Sequence, residues 1–570
     1  MNIEHIEESY RALESDSTLQ NLIAQANARY ILYNTGESQQ NFPRYTIKDE
    51  QLNILAFKYL NIGCNYFEHH NYTKAASSLE KGALVLEYIH GSINTETKNK
   101  NLFCLISALA YYVCFQYSKS FILISKFQSD TVIASLISLF LNREFKQLQK
   151  NIDRIITDPT YSDKYLAEDF KEDNAKKVYE ITIAKAINNY VQFYHTGDNA
   201  FLEIAKRNLT NLQEIAEIRR EPDIWWVIRL LLLIIDGFRE SSLWHVLGRY
   251  FNIKDKFPLK YIQSLVYKDR SITELFLTQR NSLPKVLNRE QNGSIVSIPT
   301  SSGKTRIGEI AILNCLSNNP DAKILFIAPF RSLAYEIENS LDEIFNNLDI
   351  SVSHLYGGSL FSKLDEKVIE ESSVIVVTPE KAKALLRSNT DILSSIKLVI
   401  VDEGHLLGAN KRLIVNEMFY EELRYHVSVN GGKFLLLSAV LPNAEDLSEW
   451  LTGSSDNVYK ENWRPSDERI GVMEWNGRAV NLKWKSNDTE RNSFNPNFIV
   501  RQELPKKPRQ TKTHYFPENK NQAIAVTAYK LRNFGPVLIF VGAKKSVFTI
   551  AREYEKCIET EDDTFRFKNE

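Results

Sequence analysis

The string Ile298-Pro-Thr-Ser-Ser-Gly-Lys-Thr305, answered about a hundred residues later by Asp402-Glu-Gly-His405, constrains this chain more than any other feature. Ser294 to Ile298 is a short apolar run of strand type, and Pro299, which has no N–H to donate, ends it. Thr300, Ser301, Ser302 and Gly303 form a small-residue loop that opens into a helical pattern, Arg306 to Leu313. Backbone N–H groups of such a loop, with the helix N-terminus behind them, converge on phosphate oxygens. The expected cofactor-binding residues are therefore Pro299, Thr300, Ser301, Ser302, Gly303, Lys304 and Thr305. Gly303 allows close backbone approach, Lys304 supplies a charge for the β- and γ-phosphates, and Thr305 supplies a hydroxyl for Mg²⁺. Ile298 stands where the usual GxxxxGK[ST] pattern has its first glycine.

Asp402 and Glu403 end the run Ile396-Lys-Leu-Val-Ile-Val401, which reads as a strand buried on both faces. Carboxylates at the carboxyl end of such a strand sit where open α/β sheets bind ligands. Adjacent residues of an extended strand face opposite ways, so the two acids are expected to divide the work. Asp402 suits Mg²⁺, and Glu403 suits polarising an attacking water, since phosphoryl transfer is mostly positioning and charge stabilisation. The bland alternative is a solvated strand end. His405 carries weight only beside these two acids.

With these residues in place, the stretch from Phe276 to Val547 resembles the DExH branch of superfamily 2 helicases. Gln279, 24 positions before Gly303, is similar to the family's upstream glutamine, which reads the adenine edge. Ala328-Pro-Phe-Arg-Ser-Leu-Ala334 resembles the motif in which Arg331 would touch a nucleic-acid phosphate. Tyr356-Gly357-Gly358 and Val377-Thr378-Pro379-Glu-Lys381 resemble further strand-gripping turns. Leu437-Ser438-Ala439-Val-Leu-Pro-Asn443 resembles the motif that couples the ATP state to strand movement. The continuation through Trp463-Arg-Pro465 and Gly471-Val472 is similar to the branch of archaeal DNA-repair helicases and exosome-associated RNA helicases. A helical extension on such a motor also resembles helicase subunits of prokaryotic antiviral systems such as Hachiman. The resemblance implies catalytic roles for Lys304, Asp402, Glu403 and His405, with ATP and Mg²⁺ as cofactors and single-stranded DNA or RNA as partner.

At 570 residues, the chain should hold more than one domain. A net charge of −1 gives no global pull toward nucleic acid. That is compatible with a motor gripping the backbone through loop amides and a few local cations. Cys64, Cys104, Cys114, Cys315 and Cys557 are scattered without a CxxC pair, so neither zinc nor a disulfide framework is expected and a reducing cytoplasm fits. The N-terminus is acidic and polar, unlike a signal peptide. The apolar runs Leu102–Tyr117 and Trp225–Ile235 read as buried helices rather than membrane spans.

The fold class expected is an α/β RecA-like helicase domain, with a parallel sheet and P-loop, preceded by an all-α, tetratricopeptide-like domain. Residues 1–254 form that helical part, 255–460 the first RecA-like domain, 461–520 a β-hairpin and linker, and 521–570 the start of a second RecA-like domain. In the first part, Ile62-Gly63, Tyr66, Ala75, Leu79 and Gly82 sit at the offsets of a tetratricopeptide repeat. Such hairpins stack, and the result either docks a protein partner or braces the motor; both readings stand. His69-His70 falls in the hairpin's turn and the basic stretch Lys506 to Lys512 in a linker, neither with a functional partner in sight. Asn476-Gly477 signals a β-hairpin turn, and Pro536-Val-Leu-Ile-Phe-Val541 the opening strand of the second RecA-like domain. The family's later motifs, including its arginine finger, do not occur, so the expectation is a chain that binds ATP·Mg²⁺ weakly and barely hydrolyses it. The rival expectation is a nucleotide-dependent docking platform that moves no strand.

Overall fold

Runs of Ile, Val, Leu and Phe without polar alternation make strands that need cover on both faces, and this chain gives them that cover. The structure is a computed structural model, and it describes residues 3–34, 49–91, 97–125, 127, 129, 131–162, 172–355, 363–388, 394–405, 411–439, 441–465, 470–485, 492–504, 511–532 and 535–558. The strands β1 Gly293–Ser297, β2 Lys323–Ile327, β3 Val352–His354, β4 Val374–Val377, β5 Ile396–Val401, β6 Lys433–Ser438 and β7 Val458–Lys460 form one parallel sheet in the order β3-β4-β2-β5-β6-β1-β7. Every residue of β1 and β4 is buried, as a parallel sheet sandwiched between helices requires. Parallelism has a direct consequence for function. The loops after β1, β2, β4, β5 and β6 all leave from one edge of the sheet, which is where the motifs fall.

The chain divides into two compact units, one drawn from residues 1–114, 122–130 and 467–570, the other from 115–121 and 131–466. This partition does not follow the boundary expected at residue 254. The helices Val132–Leu141, Phe145–Thr157, Glu172–Thr196, Asn199–Ile218 and Pro222–Ser241 belong to the same unit as the parallel sheet. A buried ion pair explains part of that grouping. Arg143, in the turn after the first of these helices, donates to Glu274 at 2.7 Å, and the Glu274 side chain is 1% exposed. Removing one partner of such a pair strands a charge in a dry site, so the contact ties the helices to the segment leading into the sheet. Close by, Tyr117 stacks on Phe276 with ring centroids 6.3 Å apart.

In the other unit, the helices Asp49–Glu68 and Tyr72–His90 form the expected hairpin. Asn71 caps the second by accepting from the Lys74 N–H at 3.3 Å. Close packing there needs its glycines, because a Cβ on Gly63 would lie 2.6 Å from Leu79 and one on Gly82 2.8 Å from Leu60. The strands Gly471–Trp475, Ala479–Lys485 and Asn492–Val500 make an antiparallel sheet, with the expected turn at Asn476-Gly477, where Gly477 has φ +86°. Val480, Leu482, Phe498 and Ile499 share a core with Ala28 and with Ala523 and Val526 of the helix Lys520–Leu531.

One expectation fails here. Residues 536–541 form no strand, and Leu538 and Phe540 are 91% and 92% exposed. The composition is right for a buried strand, but among the described residues no neighbour pairs with it, and a strand exists only by its ladder. The apolar runs near residues 102–117 and 225–235 are buried helices as expected, and no described helix is long and apolar enough to cross a membrane. None of the five cysteines is joined in a disulfide, and no group of three or more metal-binding side chains occurs among the described residues.

Candidate functional site

The loop 298–303 leaves the carboxyl end of β1 and delivers Lys304 as the first residue of the helix Lys304–Asn318. Its backbone bends through two left-handed residues, Ser301 at φ 66° and Gly303 at φ 86°. Gly303 is held at close quarters. Gln279 Nε2 donates to its carbonyl at 3.1 Å, and a Cβ at this position would lie 2.0 Å from that same nitrogen. Two further contacts fix Ser302: Thr278 Oγ1 donates to its carbonyl at 3.0 Å, and its own hydroxyl donates to the Trp463 carbonyl at 3.1 Å. The loop is thus braced from three sides by groups outside it, which is the pre-organisation a phosphate cradle requires.

The acid pair arrives from β5. Strand alternation was expected to separate Asp402 from Glu403, but β5 ends at Val401 and Glu403 adopts φ 52°. A turn, not a pleat, sets the two side chains. Asp402 Oδ1 accepts the Glu403 N–H at 2.9 Å, and its Oδ2 makes no hydrogen bond among the described residues. Burial and the neighbouring Glu403 carboxylate raise the Asp402 carboxyl above the ordinary range, against the pull of Lys304. Lys304 Nζ lies 3.1 Å from Glu403 Oε1. Glu403 Oε2 is buried and makes no hydrogen bond among the described residues, and His405 Nδ1 lies 3.1 Å from it.

Strand register assembles the remainder. Ser438, fully buried, pairs across with Ser297, and its carbonyl accepts the Ile298 N–H at 3.0 Å. Its hydroxyl is 3.4 Å from His405 Nδ1, so the loops after β1, β5 and β6 meet at one place, with Ala439 next in line. Gly404 is needed there, because a Cβ would sit 2.5 Å from Leu436.

The residues expected at the nucleic-acid strand occupy the same edge farther along. Ile327 pairs with Val377, and the Ala328 N–H donates to the Val377 carbonyl, which brings the turns after β2 and β4 side by side. Arg331, exposed, opens the helix Arg331–Phe345, whereas Thr378 and Pro379 are buried at the start of the helix Pro379–Ser388. Gly357 and Gly358 lie outside the described residues.

Gln279 shows more than the sequence reading supplied. Its Oε1 accepts the Phe276 N–H at 2.8 Å while its Nε2 holds Gly303, so it caps its own helix and tethers the loop. One Nε2 hydrogen and one Oε1 lone pair stay available for a base edge. Thr278, Trp463 and the Tyr117–Phe276 stack were not anticipated. Thr278 was findable as a hydroxyl beside Gln279 at a helix start, whereas the Trp463 carbonyl carries no side-chain signal.

A chain with this arrangement invites comparison with known proteins. The family model described as DEAD/DEAH box helicase matches residues 277–447, which include the braced loop, the acid turn and Ser438. These residues are thus similar to a DEAD/DEAH box helicase domain. Along its whole length it is 39% identical to Hachiman protein HamB of Bacillus cereus, covering 100% of this chain and 50% of that protein. It is 32% identical over 208 residues to the ATP-dependent DNA helicase Hel308 of Pyrococcus horikoshii, 36% of this chain and 27% of that one. It is 35% identical over 196 residues to the DExH-box ATP-dependent RNA helicase DExH13 of Arabidopsis thaliana, 33% of this chain and 9% of that one. The chain thus spans half the length of the Bacillus cereus relative, and less of the other two.

This domain makes a direct prediction at its tightest glycine. Gly303→Ala imposes a left-handed backbone on a side-chain-bearing residue, about 1–2 kcal/mol, and drives its Cβ into Gln279. Nucleotide affinity and the thermal midpoint should both fall. Adding Gln279→Ala should recover only the part of the loss due to the clash. A Gly303→Ala protein that binds ATP and melts like the parent would show the loop to be softer than its geometry implies.

Proposed function

We propose that this chain is the nucleotide-binding part of a motor that couples ATP hydrolysis to movement along single-stranded DNA or RNA, in prokaryotic antiviral defence. The observation that carries the reading is the convergence at one sheet edge of Lys304, Asp402, Glu403 and Ser438 beside a braced phosphate loop. The donor set fits ATP·Mg²⁺. Glu403 Oε2 is a buried acceptor that makes no hydrogen bond among the described residues, and Asp402 keeps an oxygen for ligation. Bound Mg²⁺ would neutralise charge on the β- and γ-phosphates, with Thr305 and Asp402 as its protein ligands. The loop amides and Lys304 would hold the phosphates, and the approach of phosphates to Lys304 would compete with its Glu403 contact. Glu403, so released, would orient the attacking water. His405 and Ser438 would report the result to the loop after β6. The likeness to HamB along the whole chain supports the defence role, and the motif turns after β2 and β4 support the strand path.

Arg331 tests that path. As an exposed cation at a helix N-terminus on the motif edge, it should contact phosphates rather than bases. Arg331→Ala should weaken single-strand binding about equally for all sequences and reduce the slope of log K against log salt by about 0.7–0.9. Loss confined to one sequence would point to base readout instead.

A further inference from the structure

A second basic site lies at the opposite edge of the parallel sheet. The amino ends of β1, β5 and β6 surround a cavity of about 270 Å³, whose wall includes Lys285, Arg289, Lys397 and Lys433 and no aspartate or glutamate. Strands of five or six residues at about 3.3 Å per residue place it roughly 15–20 Å from the phosphate loop. It is therefore separate from the nucleotide site.

The charge here is uncompensated. Lys433 donates to the Asn288 carbonyl at 2.6 Å, Lys397 to the Asn430 carbonyl at 2.7 Å and Lys285 to the Asp456 carbonyl at 2.6 Å. None of the four cations pairs with a carboxylate among the described residues, and Glu290, the nearest acid in sequence, is exposed and off the wall. Burial and repulsion from Arg289 push the Lys433 ammonium below the ordinary lysine range. Holding like charges together around a concave, half-buried space is unfavourable unless an anion joins them. The wall also carries amides that can donate. Gln291 has a buried Oε1 without a hydrogen bond, and a flip of that amide turns its NH₂ to the same place. The volume lies just under the range of about 300–1,000 Å³ for ligand pockets, which suits a diphosphate-sized group and not a polymer.

We propose that this cavity is an anion site that binds a diphosphate group, free or at the end of a nucleotide, between Arg289, Lys397 and Lys433. The Lys304→Ala background suppresses the phosphate loop and isolates the second site. Equilibrium dialysis of labelled pyrophosphate, and separately of a nucleoside diphosphate without Mg²⁺, should show one saturable site per chain in that background. Arg289→Gln and Lys397→Gln should each weaken it about tenfold, the size of one charge-assisted contact, and Lys397→Arg should retain it. The arginine variant also controls for folding, since it keeps size and charge. Binding of pyrophosphate identifies the free ion as sufficient, and binding of the nucleoside diphosphate alone identifies a nucleotide. No saturable binding of either, or binding indifferent to both glutamine variants, overturns the assignment.

Discussion

Glu403→Gln should leave ATP binding close to that of the parent while full-length turnover falls by about 10²–10⁴-fold, the usual contribution of a positioned acid–base group. The substitution keeps the side chain's shape and its place in the turn at φ 52°. Asp402, which accepts the backbone N–H of residue 403 rather than its side chain, keeps its geometry. What is lost is the buried carboxylate oxygen that makes no hydrogen bond among the described residues. Binding and steady-state hydrolysis measured on the same preparation check this. Hydrolysis at the parent rate would remove Glu403 from the chemistry.

Lys304→Ala should act on binding itself. The Lys304 side chain is 11% exposed and 3.1 Å from Glu403, so its loss removes the cation proposed to hold the phosphates and leaves the glutamate without this ion pair. A hydrogen bond to a charged group is worth about 1.5–3 kcal/mol, which translates to roughly 10–100-fold in ATP affinity. Turnover should fall at least as far. Calorimetric titration of the variant distinguishes this from a purely catalytic role, in which affinity would be unchanged.

The residues that converge at the candidate site were legible in the sequence because the chemistry proposed for it dictates residue types. A phosphate cradle needs small residues, a lysine and a hydroxyl in a row, and Mg²⁺ needs a carboxylate at a strand end. Parallel pairing then had to bring Lys304, Asp402 and Ser438 to one edge, and the near-continuous apolar runs made that pairing foreseeable. Contacts between backbone groups and distant side chains were not legible. Nothing in the string marks Trp463 as the acceptor for Ser302. The Arg143–Glu274 pair joins positions more than a hundred residues apart, and without it the helices from Val132 onward look like part of the N-terminal helical region. Residues 536–541 show the converse: their strand propensity is plain, yet a ladder needs a second strand and none pairs with them among the described residues. The cations of the second cavity were invisible for the same reason, being four isolated residues until β1, β5 and β6 align them.

The most direct test of the account is ATP binding to this chain by calorimetry, with saturating Mg²⁺ and again with the metal chelated. The loop after β1 and Asp402 after β5 are read as one site for a metal–nucleotide complex. The expected result is one Mg²⁺-dependent ATP site per chain, which binds more weakly once Mg²⁺ is removed. No binding at all, or the same affinity with and without the metal, would contradict it.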